Sequence, residues 1–354
     1  MYDKASALLL DWYGSAKRDL PWRHTQDPYR IWLSEIMLQQ TRVETVRAYY
    51  RRFLELFPNL EALAAAPQEQ VLKAWEGLGY YSRARNLQKA AQSVVNNHSG
   101  RFPDTYEGLL SLPGVGPYTA GAIASIAFGR RVPAIDGNVY RVASRFYGVR
   151  EDVGSPRVQK ELRALVEAGM PEDRAGDYNQ ALMELGATLC SPAQPSCLPC
   201  PWRGLCDAYA EGDAPFLPIH EKKRPPKTVD VAVCLLSFEG RMLVERRAQR
   251  MLHGLYVFHL IEEETEPGPV GELLLEQGLR CAFQGELGRA RHVFTHRVWE
   301  MSILHYRLNA PPAESALEAL DARMVTADEL EALPLPTAMK TAREKATVLL
   351  RKER

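Results

Sequence analysis

The spacing of apolar residues changes character after Cys206. Before it, apolar side chains recur three and four positions apart, as at Val43, Val46, Tyr50 and Phe53, which is the pattern of helices that bury one face. Glycine and proline punctuate the junctions. The pattern predicts helices at 28–40, 42–57, 68–76, 82–97, 105–111, 117–128, 137–147, 156–168 and 177–190.

After Cys206 the chain alternates apolar and polar residues in short runs rich in β-branched side chains, which is typical of strands. Strands are predicted at 227–238, 241–246, 255–261, 281–286, 290–296 and 299–307, with helices at 269–278 and 326–333. We therefore predict a multi-domain protein. Its parts are an all-α domain (1–206), a linker (207–227) containing the basic run Lys222-Lys223-Arg224, and an α+β domain (228–354).

The amino-acid composition excludes few classes of protein. A chain of 354 residues is long enough for two domains, and 46% hydrophobic with 25% charged residues is typical of a soluble globular protein. The apolar stretches are too short for a membrane span, so no membrane partner is expected, and we expect a monomer. The 44 basic and 44 acidic residues cancel, which argues mildly against a nucleic-acid partner but leaves local basic patches open.

Four cysteines crowd one loop at residues 190–206, in the spacing C-x6-C-x2-C-x5-C. Thiolates ligate zinc or iron–sulfur clusters. Structural zinc sites usually carry two C-x2-C pairs, and this loop has only one, so a 4Fe–4S cluster is favoured over zinc and over chance clustering or disulfides. Thiols committed to a metal favour a reducing cytoplasm. The predicted ligands are Cys190, Cys197, Cys200 and Cys206.

Two features before that loop suit contact with a phosphate backbone and acid–base chemistry. Gly114 and Gly116 lie in a turn between predicted helices, where small residues let backbone amides face an anion, although a plain glycine turn has the same form. Asp136, followed by Asn138, is placed to cap the next helix, and capping alone explains an isolated aspartate. Glu35 falls on the apolar side of its helix, where burial would raise its pKa; a solvent-facing glutamate is the alternative.

Taken together, the glycine turn, the aspartate and the cysteine spacing resemble the helix-hairpin-helix DNA glycosylase superfamily. Within it, LPWR (20–23), SEIMLQQTRVETV (34–46), EGLGYYSRARNL (76–87) and IDGN (135–138) resemble the MutY-type adenine DNA glycosylases. The resemblance implies a helical glycosylase domain with one 4Fe–4S cluster. It implies removal of adenine paired with 8-oxoguanine, and with guanine, from double-stranded DNA during base excision repair, in a bacterial, nucleoid-associated protein.

The resemblance also implies roles for individual residues. Glu35 would protonate N7 of adenine and later manage the water, Asp136 would stabilise the cationic sugar, and Asn138 would orient Asp136. Tyr118 stands where strand-cutting relatives have a lysine nucleophile, so little or no lyase activity is expected. The residues expected to contact DNA or the flipped base are Trp22, Arg23, Leu38, Gln40, Thr41, Leu78, Tyr80, Gly114 and Gly116.

The second domain resembles the Nudix fold that such relatives carry. Its best match to the metal-binding box, at 271–279, keeps Glu272 and Glu276 but has Gly271 in place of the arginine and Leu275 in place of a metal-binding glutamate. A fold that binds rather than hydrolyses is implied, and neither magnesium nor zinc is expected. The loop implied to recognise 8-oxoguanine reads Phe294-Thr295-His296, with threonine where the family has serine.

Three other functions compete with this interpretation: a bifunctional pyrimidine glycosylase like endonuclease III, a catalytically silent DNA-binding module with a redox-sensing cluster, and an active Nudix hydrolase fused to a DNA-binding domain. Tyr118 in place of the lysine, Glu35 within SEIMLQQT and the extra C-terminal domain disfavour the first. Retention of both Glu35 and Asp136 disfavours the second, and the broken Nudix box disfavours the third.

Overall fold

The computed structural model describes residues 2–221 and 225–352, so the linker's basic run Lys222-Lys223-Arg224 lies outside the described residues. The chain divides into two compact units, one of Met1–Ala66 with Asn86–Lys222 and the other of Pro67–Arg85 with Lys223–Arg354. We call them the helical unit and the sheet unit. Their limits differ from the ranges 1–206, 207–227 and 228–354 drawn from the sequence, because the segment 67–85 packs with the later residues.

The chain before the sheet is helical, as predicted, and the structure adds helices at the N-terminus, at 60–65 and after the cysteine loop. Short 3-10 turns lie at Pro21–Arg23 and Ala214–Phe216. The helices are α1 (Tyr2–Ala16), α2 (Pro28–Leu38), α3 (Val43–Leu56), α4 (Leu60–Ala65), α5 (Gln68–Ala74), α6 (Ser82–Asn97), α7 (Tyr106–Leu110), α8 (Pro117–Phe128), α9 (Gly137–Phe146), α10 (Pro156–Ala168), α11 (Ala175–Thr188) and α12 (Asp207–Ala210).

Local sequence sets where these helices begin. The side chain of Asp27 accepts a hydrogen bond from Tyr29 N at the start of α2, and Asp136 does the same for Val139 N at the start of α9. Such caps satisfy backbone amides that have no partner inside the helix. Pro117 occupies the first turn of α8, where its fixed φ suits a helix and its missing N–H costs nothing.

The core of the helical unit lies around α11. Ala181, Leu182 and Leu185 on this helix are buried against Val139 and Val142 on α9. The helices α1, α8 and α9 all pack against α11, and α2 packs against α8. This arrangement brings the end of α2, the start of α8, the start of α9 and the middle of α11 into one region, which is where the candidate catalytic residues lie.

The sheet unit is built on a mixed sheet with helices on both faces. Its strands are β1 (Lys227–Phe238), β2 (Arg241–Arg246), β3 (Tyr256–Val257), β4 (His259–Glu262), β5 (Cys281–Val293), β6 (Arg297–Leu308) and β7 (Ala322–Val325). Its further helices are α13 (Pro267–Glu276), α14 (Glu314–Ala319), α15 (Ala327–Ala332) and α16 (Lys340–Lys352), with a 3-10 turn at Thr337–Met339.

The strand order is β3-β2-β1-β6-β5, with β4 also pairing β1 and β7 also pairing β2. β1 and β6 are parallel, from Lys227 opposite Arg297 to Ser237 opposite Arg307. Side chains of α15 and α16 join the core on one face and those of α13 join the core on the other. The predicted strands 281–286 and 290–296 form one strand, β5, with register shifts between Phe283 and Gly285 and between Glu286 and Gly288.

The segment 67–85 is attached to the sheet unit by polar contacts. Lys73 Nζ donates to the carbonyl oxygens of Glu331 (2.7 Å) and Leu333 (3.1 Å). Arg343 forms an ion pair with Glu76 at 2.7 Å. These contacts give the turn that follows α5 a fixed place in the sheet unit. Among the described residues, no helix is long and apolar enough to span a membrane.

Candidate active site

Glu35 lies in the last turns of α2 with only 6% of its surface exposed. Its Oε2 accepts a hydrogen bond from the hydroxyl of Tyr118, at the start of α8, over 2.5 Å. The same hydroxyl lies 3.5 Å from the sulfur of Met183 on α11. The apolar pattern around Glu35 predicted a buried carboxyl, and the structure confirms it.

Burial is the main influence on the acidity of Glu35. It raises the pKa to about 7, because the carboxylate form is poorly solvated there. The hydrogen bond from Tyr118 and the charge of Arg23 act against this rise, and the negative charge of Asp136 adds to it. Burial, then the charges of Glu35 and Asp136, raise the pKa of Tyr118 well above its usual value. Glu35 can therefore hold a proton near neutral pH and give it up to a bound base.

Asp136 is held in place by two donors. Its Oδ1 accepts from Val139 N (2.8 Å) and its Oδ2 accepts from Asn138 Nδ2 (2.9 Å). The orienting role expected for Asn138 is consistent with this contact. Two carboxyl groups in different surroundings, one buried beside a phenol and one at a helix N-terminus, suit an acid and a charge-stabilising partner.

A second layer of contacts fixes Asn138 in turn. Arg141 donates to Asn138 Oδ1 (2.8 Å) and, through Nε, to the carbonyl oxygen of Cys190 (2.8 Å). Gly186 on α11 allows this approach, since a Cβ there would lie 2.8 Å from Asn138 Cβ. A chain of hydrogen bonds therefore runs from Asp136 to the beginning of the cysteine loop.

The residues matched to an adenine pocket differ in exposure. Trp22 is buried and packs edge-on against Tyr50, at 5.4 Å between ring centroids. Arg23 is largely buried and donates to Glu184 Oε2 (2.7 Å) and to the carbonyl oxygen of Arg18 (3.0 Å). Leu38 is half-buried at the end of α2. Their contact with a base stays a prediction.

The glycine turn predicted to bind a phosphate lies between α7 and α8. Gly114 has φ +74°, and a Cβ there would lie 2.5 Å from Asn86 Cβ. Gly116 caps α8 and has nothing within 4 Å of its Cβ position, so the backbone is uncrowded at that point. Binding of an anion there stays a prediction. Gln40 is exposed with φ +56°, and the Thr41 hydroxyl donates to the Gln39 carbonyl oxygen at 3.3 Å. An exposed side chain on a backbone held at positive φ is consistent with the DNA contact expected of Gln40.

Among the described residues, the four cysteines of the loop are not joined in disulfides. Burial, aided by Cys190, Cys206 and Cys197 and opposed by a backbone hydrogen bond from Trp202, raises the pKa of Cys200 to about 12. Arg145 donates to Cys190 Sγ at 3.2 Å and anchors the loop through the carbonyl oxygens of Ser191 and Pro192, both at 2.7 Å. Within 2–221 and 225–352, no set of three or more His, Cys, Asp or Glu side chains converges on a single-ion site. The cluster stays a prediction from the sequence.

In the sheet unit, two predicted recognition residues meet. Tyr80, 50% exposed, lies in the turn after α5, and its hydroxyl is 3.2 Å from the hydroxyl of Thr295. Thr295 lies with Phe294 and His296 in the hairpin turn between β5 and β6, closed by a hydrogen bond from Phe294 N to Arg297 O. The Phe294 ring packs edge-on against Trp299 at 5.0 Å, which leaves Thr295 and His296 exposed.

Leu78, also expected at the DNA, is 6% exposed, so its side chain offers little surface in this form. Arg83 holds the turn that contains Leu78 and Tyr80. It donates to the carbonyl oxygens of Leu78 (3.0 Å) and Gly79 (3.1 Å) and lies over the Trp75 ring. The turn therefore presents Tyr80 outward on a fixed base.

The remnant of the Nudix box forms α13. Glu272 and Glu276 are exposed on this helix, and Leu275 is 56% exposed where a metal-binding glutamate would stand. The helix is held to the sheet by Val270 and Leu274. The structure thus keeps the helix of the box without the full set of carboxylates that a hydrolase needs.

Two family models match the chain. The model for the HhH-GPD superfamily of base excision DNA repair proteins matches residues 33–168, and the NUDIX domain model matches residues 231–345. The chain is 36% identical to the adenine DNA glycosylase of Mus musculus over 94% of this chain and 76% of the relative. It is 34% identical to that of Buchnera aphidicola, over 74% of this chain and 75% of the relative.

This chain belongs to the adenine DNA glycosylase family. It is accordingly a DNA glycosylase of base excision repair with a Nudix-like second domain. Solved structures agree on the fold of the helical part. A thermostable thymine-DNA glycosylase is 32% identical with a TM-score of 0.54 over 58% of this chain and 95% of that chain. A trapped endonuclease III–DNA covalent intermediate has the same fold at 23% identity, with a TM-score of 0.51 over 59% and 95%.

Several residues that shape this glycosylase site were missed from the sequence. Met183 and Glu184 are neighbours on α11, Arg18 lies in the loop after α1, and Arg141 lies on α9. The charged residues among them gave a weak signal in the sequence, because charged side chains are seldom buried. A glutamate between Met183 and Leu185, on a helix that buries its other neighbours, was the one available hint.

Proposed function

We propose that this chain hydrolyses the N-glycosidic bond of adenine paired with 8-oxoguanine, and with guanine, in double-stranded DNA. The observation that carries the proposal is the buried Glu35, hydrogen-bonded to Tyr118 and with its pKa raised to about 7. Family membership supports adenine as the base that leaves, since the relatives are named adenine DNA glycosylases.

The chemistry follows from the two carboxyl groups. A base inside a duplex is out of reach, so the adenine must be flipped into the site. Glu35 then protonates the departing adenine at N7, which lets the purine leave as a neutral base. Asp136, held by Val139 N and Asn138, faces the cationic sugar and stabilises it until water adds and gives its proton to the carboxylate of Glu35.

The strand is left uncut in this proposal. Strand cutting by the amine route needs a primary amine that forms a Schiff base with the sugar. At the corresponding hairpin position this chain has Tyr118, whose hydroxyl is already bound to Glu35. The product is therefore an abasic site that breaks only on treatment with alkali.

Recognition of the opposite base falls to the sheet unit in this proposal. Thr295 and His296 stand exposed at the tip of the β5–β6 hairpin, and the Tyr80 hydroxyl contacts Thr295. A hydroxyl and an imidazole supply the donors and acceptors that the edge of 8-oxoguanine requires. The Nudix-like unit thus binds a lesion and does not hydrolyse a nucleotide.

Cys190, Cys197, Cys200 and Cys206 would hold one 4Fe–4S cluster. The hydrogen bond from Arg145 to Cys190 Sγ supports this assignment, since hydrogen bonds to the ligating sulfurs are usual in these centres. Such a cluster would hold together the loop that follows α11.

The test is single-turnover release of adenine from duplexes that hold adenine opposite 8-oxoguanine, guanine or thymine, analysed with and without alkali. We expect fast release opposite 8-oxoguanine, slower release opposite guanine, none opposite thymine, and breaks only after alkali. Breaks without alkali, together with release of oxidised pyrimidines, would favour the endonuclease III-like alternative. Binding without release would favour a silent module, and magnesium-dependent hydrolysis of 8-oxo-dGTP would favour a Nudix hydrolase.

A further inference from the structure

A buried carboxylate next to the catalytic pair takes no part in the chemistry above. Glu184 on α11 has no exposed surface. Its Oε1 accepts from Arg18 N and Arg18 Nε, both at 2.9 Å, and its Oε2 accepts from Arg18 (2.8 Å) and Arg23 (2.7 Å). Burial acts to raise its pKa, but the hydrogen bonds from the two arginines outweigh it and bring the pKa to about 2. Glu184 is thus an ionised carboxylate shared by two cations.

This ion cluster is linked to the Glu35 site through Arg23 and through Met183. The charge of Arg23 acts on Glu35 and favours its ionised form. Met183, the neighbour of Glu184 along α11, contacts the hydroxyl of Tyr118 that is bound to Glu35. A cation next to a general acid works against catalysis unless its charge is compensated, since the acid must keep its proton until the base leaves.

We infer that Glu184 is a positioning residue for base excision, which holds Arg18 and Arg23 in one buried cluster and compensates the charge of Arg23 beside Glu35. The inference rests on the proposed function. Arg23 is fixed by its hydrogen bonds to Glu184 and to the Arg18 carbonyl oxygen and by its position over the Tyr13 ring, so its guanidinium keeps one place. Loss of the Glu184 charge would both free Arg23 and leave a bare cation there.

The consequence is a shift in the pH dependence of catalysis. The largest influences on Glu35 besides burial are Tyr118 at the start of α8, Asp136 at the start of α9 and Arg23 from the 3-10 turn at Pro21–Arg23. From α11, Met183 contacts the Tyr118 hydroxyl, and Glu184 is the charged group, ion-paired with Arg23. Removing the charge of Glu184 strengthens the net effect of Arg23, so Glu35 loses its proton at lower pH. Removing the charge of Arg23 has the opposite effect.

The experiment measures single-turnover adenine release against pH, from an adenine:8-oxoguanine duplex, for the full chain. The variants are Glu184→Gln, Glu184→Asp, Arg23→Gln and the double variant Glu184→Gln/Arg23→Gln. Glu161→Gln serves as the matched control, because Glu161 is exposed and pairs only with Arg157 in the described contacts.

We expect the alkaline limb of the Glu184→Gln profile to move to lower pH by about one unit, which is about a tenfold loss of rate on that limb. The limb should move to higher pH in Arg23→Gln and return towards the wild-type position in the double variant. Glu184→Asp keeps the charge, so its limb should stay in place even where its rate falls. Glu161→Gln should match the wild type.

A Glu184→Gln rate that falls equally at every pH, with the limb unmoved, would overturn the inference and leave the proposed function standing. If Glu184→Gln does not fold, Arg23→Gln decides the matter, since an unmoved limb there contradicts the same electrostatic coupling. A wild-type chain that releases no adenine at any pH would overturn the proposed function, and this inference with it.

Discussion

The Tyr118 hydroxyl donates a hydrogen bond to Glu35 Oε2 over 2.5 Å and joins the start of α8 to the last turns of α2. This contact fixes the buried acid and moderates the rise of its pKa. In the proposed function, it also engages the residue that stands where strand-cutting relatives have a lysine.

The pH dependence of excision should report the state of Glu35. Because the acid must be protonated, single-turnover release should decline as pH rises through about 7. Tyr118→Phe removes a hydrogen bond that lowers the pKa of Glu35, so its alkaline limb should lie about one unit higher. The control is Tyr147→Phe, which removes a tyrosine hydroxyl that donates to the Leu165 carbonyl oxygen. An unmoved limb in Tyr118→Phe would contradict the assignment of that limb to Glu35.

The raised pKa of Glu35 should also cost stability at neutral and alkaline pH. Below pH 4.5 the group is protonated in both the folded and the unfolded chain, and its cost is absent. As pH rises from 4.5 to about 7, the unfolded chain ionises while the folded chain does not, and the folded state loses up to about 3 kcal/mol. Glu35→Gln should therefore gain stability relative to the wild type at pH 8 but little at pH 4.5, as measured by urea unfolding. An equal difference at both pH values would refute the shift.

Two glycines of the hairpin offer a matched pair of substitutions. Gly114→Ala places a Cβ 2.5 Å from Asn86 Cβ at a φ of +74°, so the hairpin must distort and both thermal stability and DNA affinity should fall. At Gly116, which has φ −94° and open space around its Cβ position, alanine should leave the melting temperature within about 2 °C while weakening binding to undamaged duplex. Equal decreases of the melting temperature in both variants would argue against an uncrowded backbone at Gly116 and against its predicted contact with DNA.

Discrimination between 8-oxoguanine and guanine should depend on the Thr295 hydroxyl. Thr295→Val keeps the shape of the side chain but removes the group that contacts Tyr80 and would bond the lesion. We expect the ratio of excision rates opposite 8-oxoguanine and opposite guanine to fall about tenfold, as for one lost hydrogen bond of about 1–2 kcal/mol. Thr295→Ser, which keeps the hydroxyl, should retain the ratio. A ratio that survives in Thr295→Val would remove this residue from lesion recognition.

Much of the helical unit was predictable because its signals are local. The apolar pattern around Glu35, the cap at Asp136 and the glycines at 114 and 116 each define their own structure within a few residues. The family motifs added the roles. These features depend on short-range chemistry, which a single sequence displays directly.

Contacts between distant parts of the chain were not predictable in the same way. The sequence did not predict that the guanidinium of Arg23, a residue expected at the flipped base, is bound to Glu184, 161 residues away. The segment 67–85 belongs to the sheet unit because Lys73 forms a hydrogen bond with α15 and Glu76 forms an ion pair with α16. The helix α16 was missed because its apolar residues that reach the core, such as Ala342, Ala346 and Leu350, are few and mostly small.

The most direct test of the account is to measure free adenine released from an adenine:8-oxoguanine duplex at pH 6 by the wild-type chain and by Glu35→Gln, together with the affinity of each for that duplex. The account predicts rapid release by the wild type, and release by Glu35→Gln slowed by at least about a hundredfold, with binding retained. Release by Glu35→Gln at the wild-type rate would contradict the assignment of the buried glutamate as the acid.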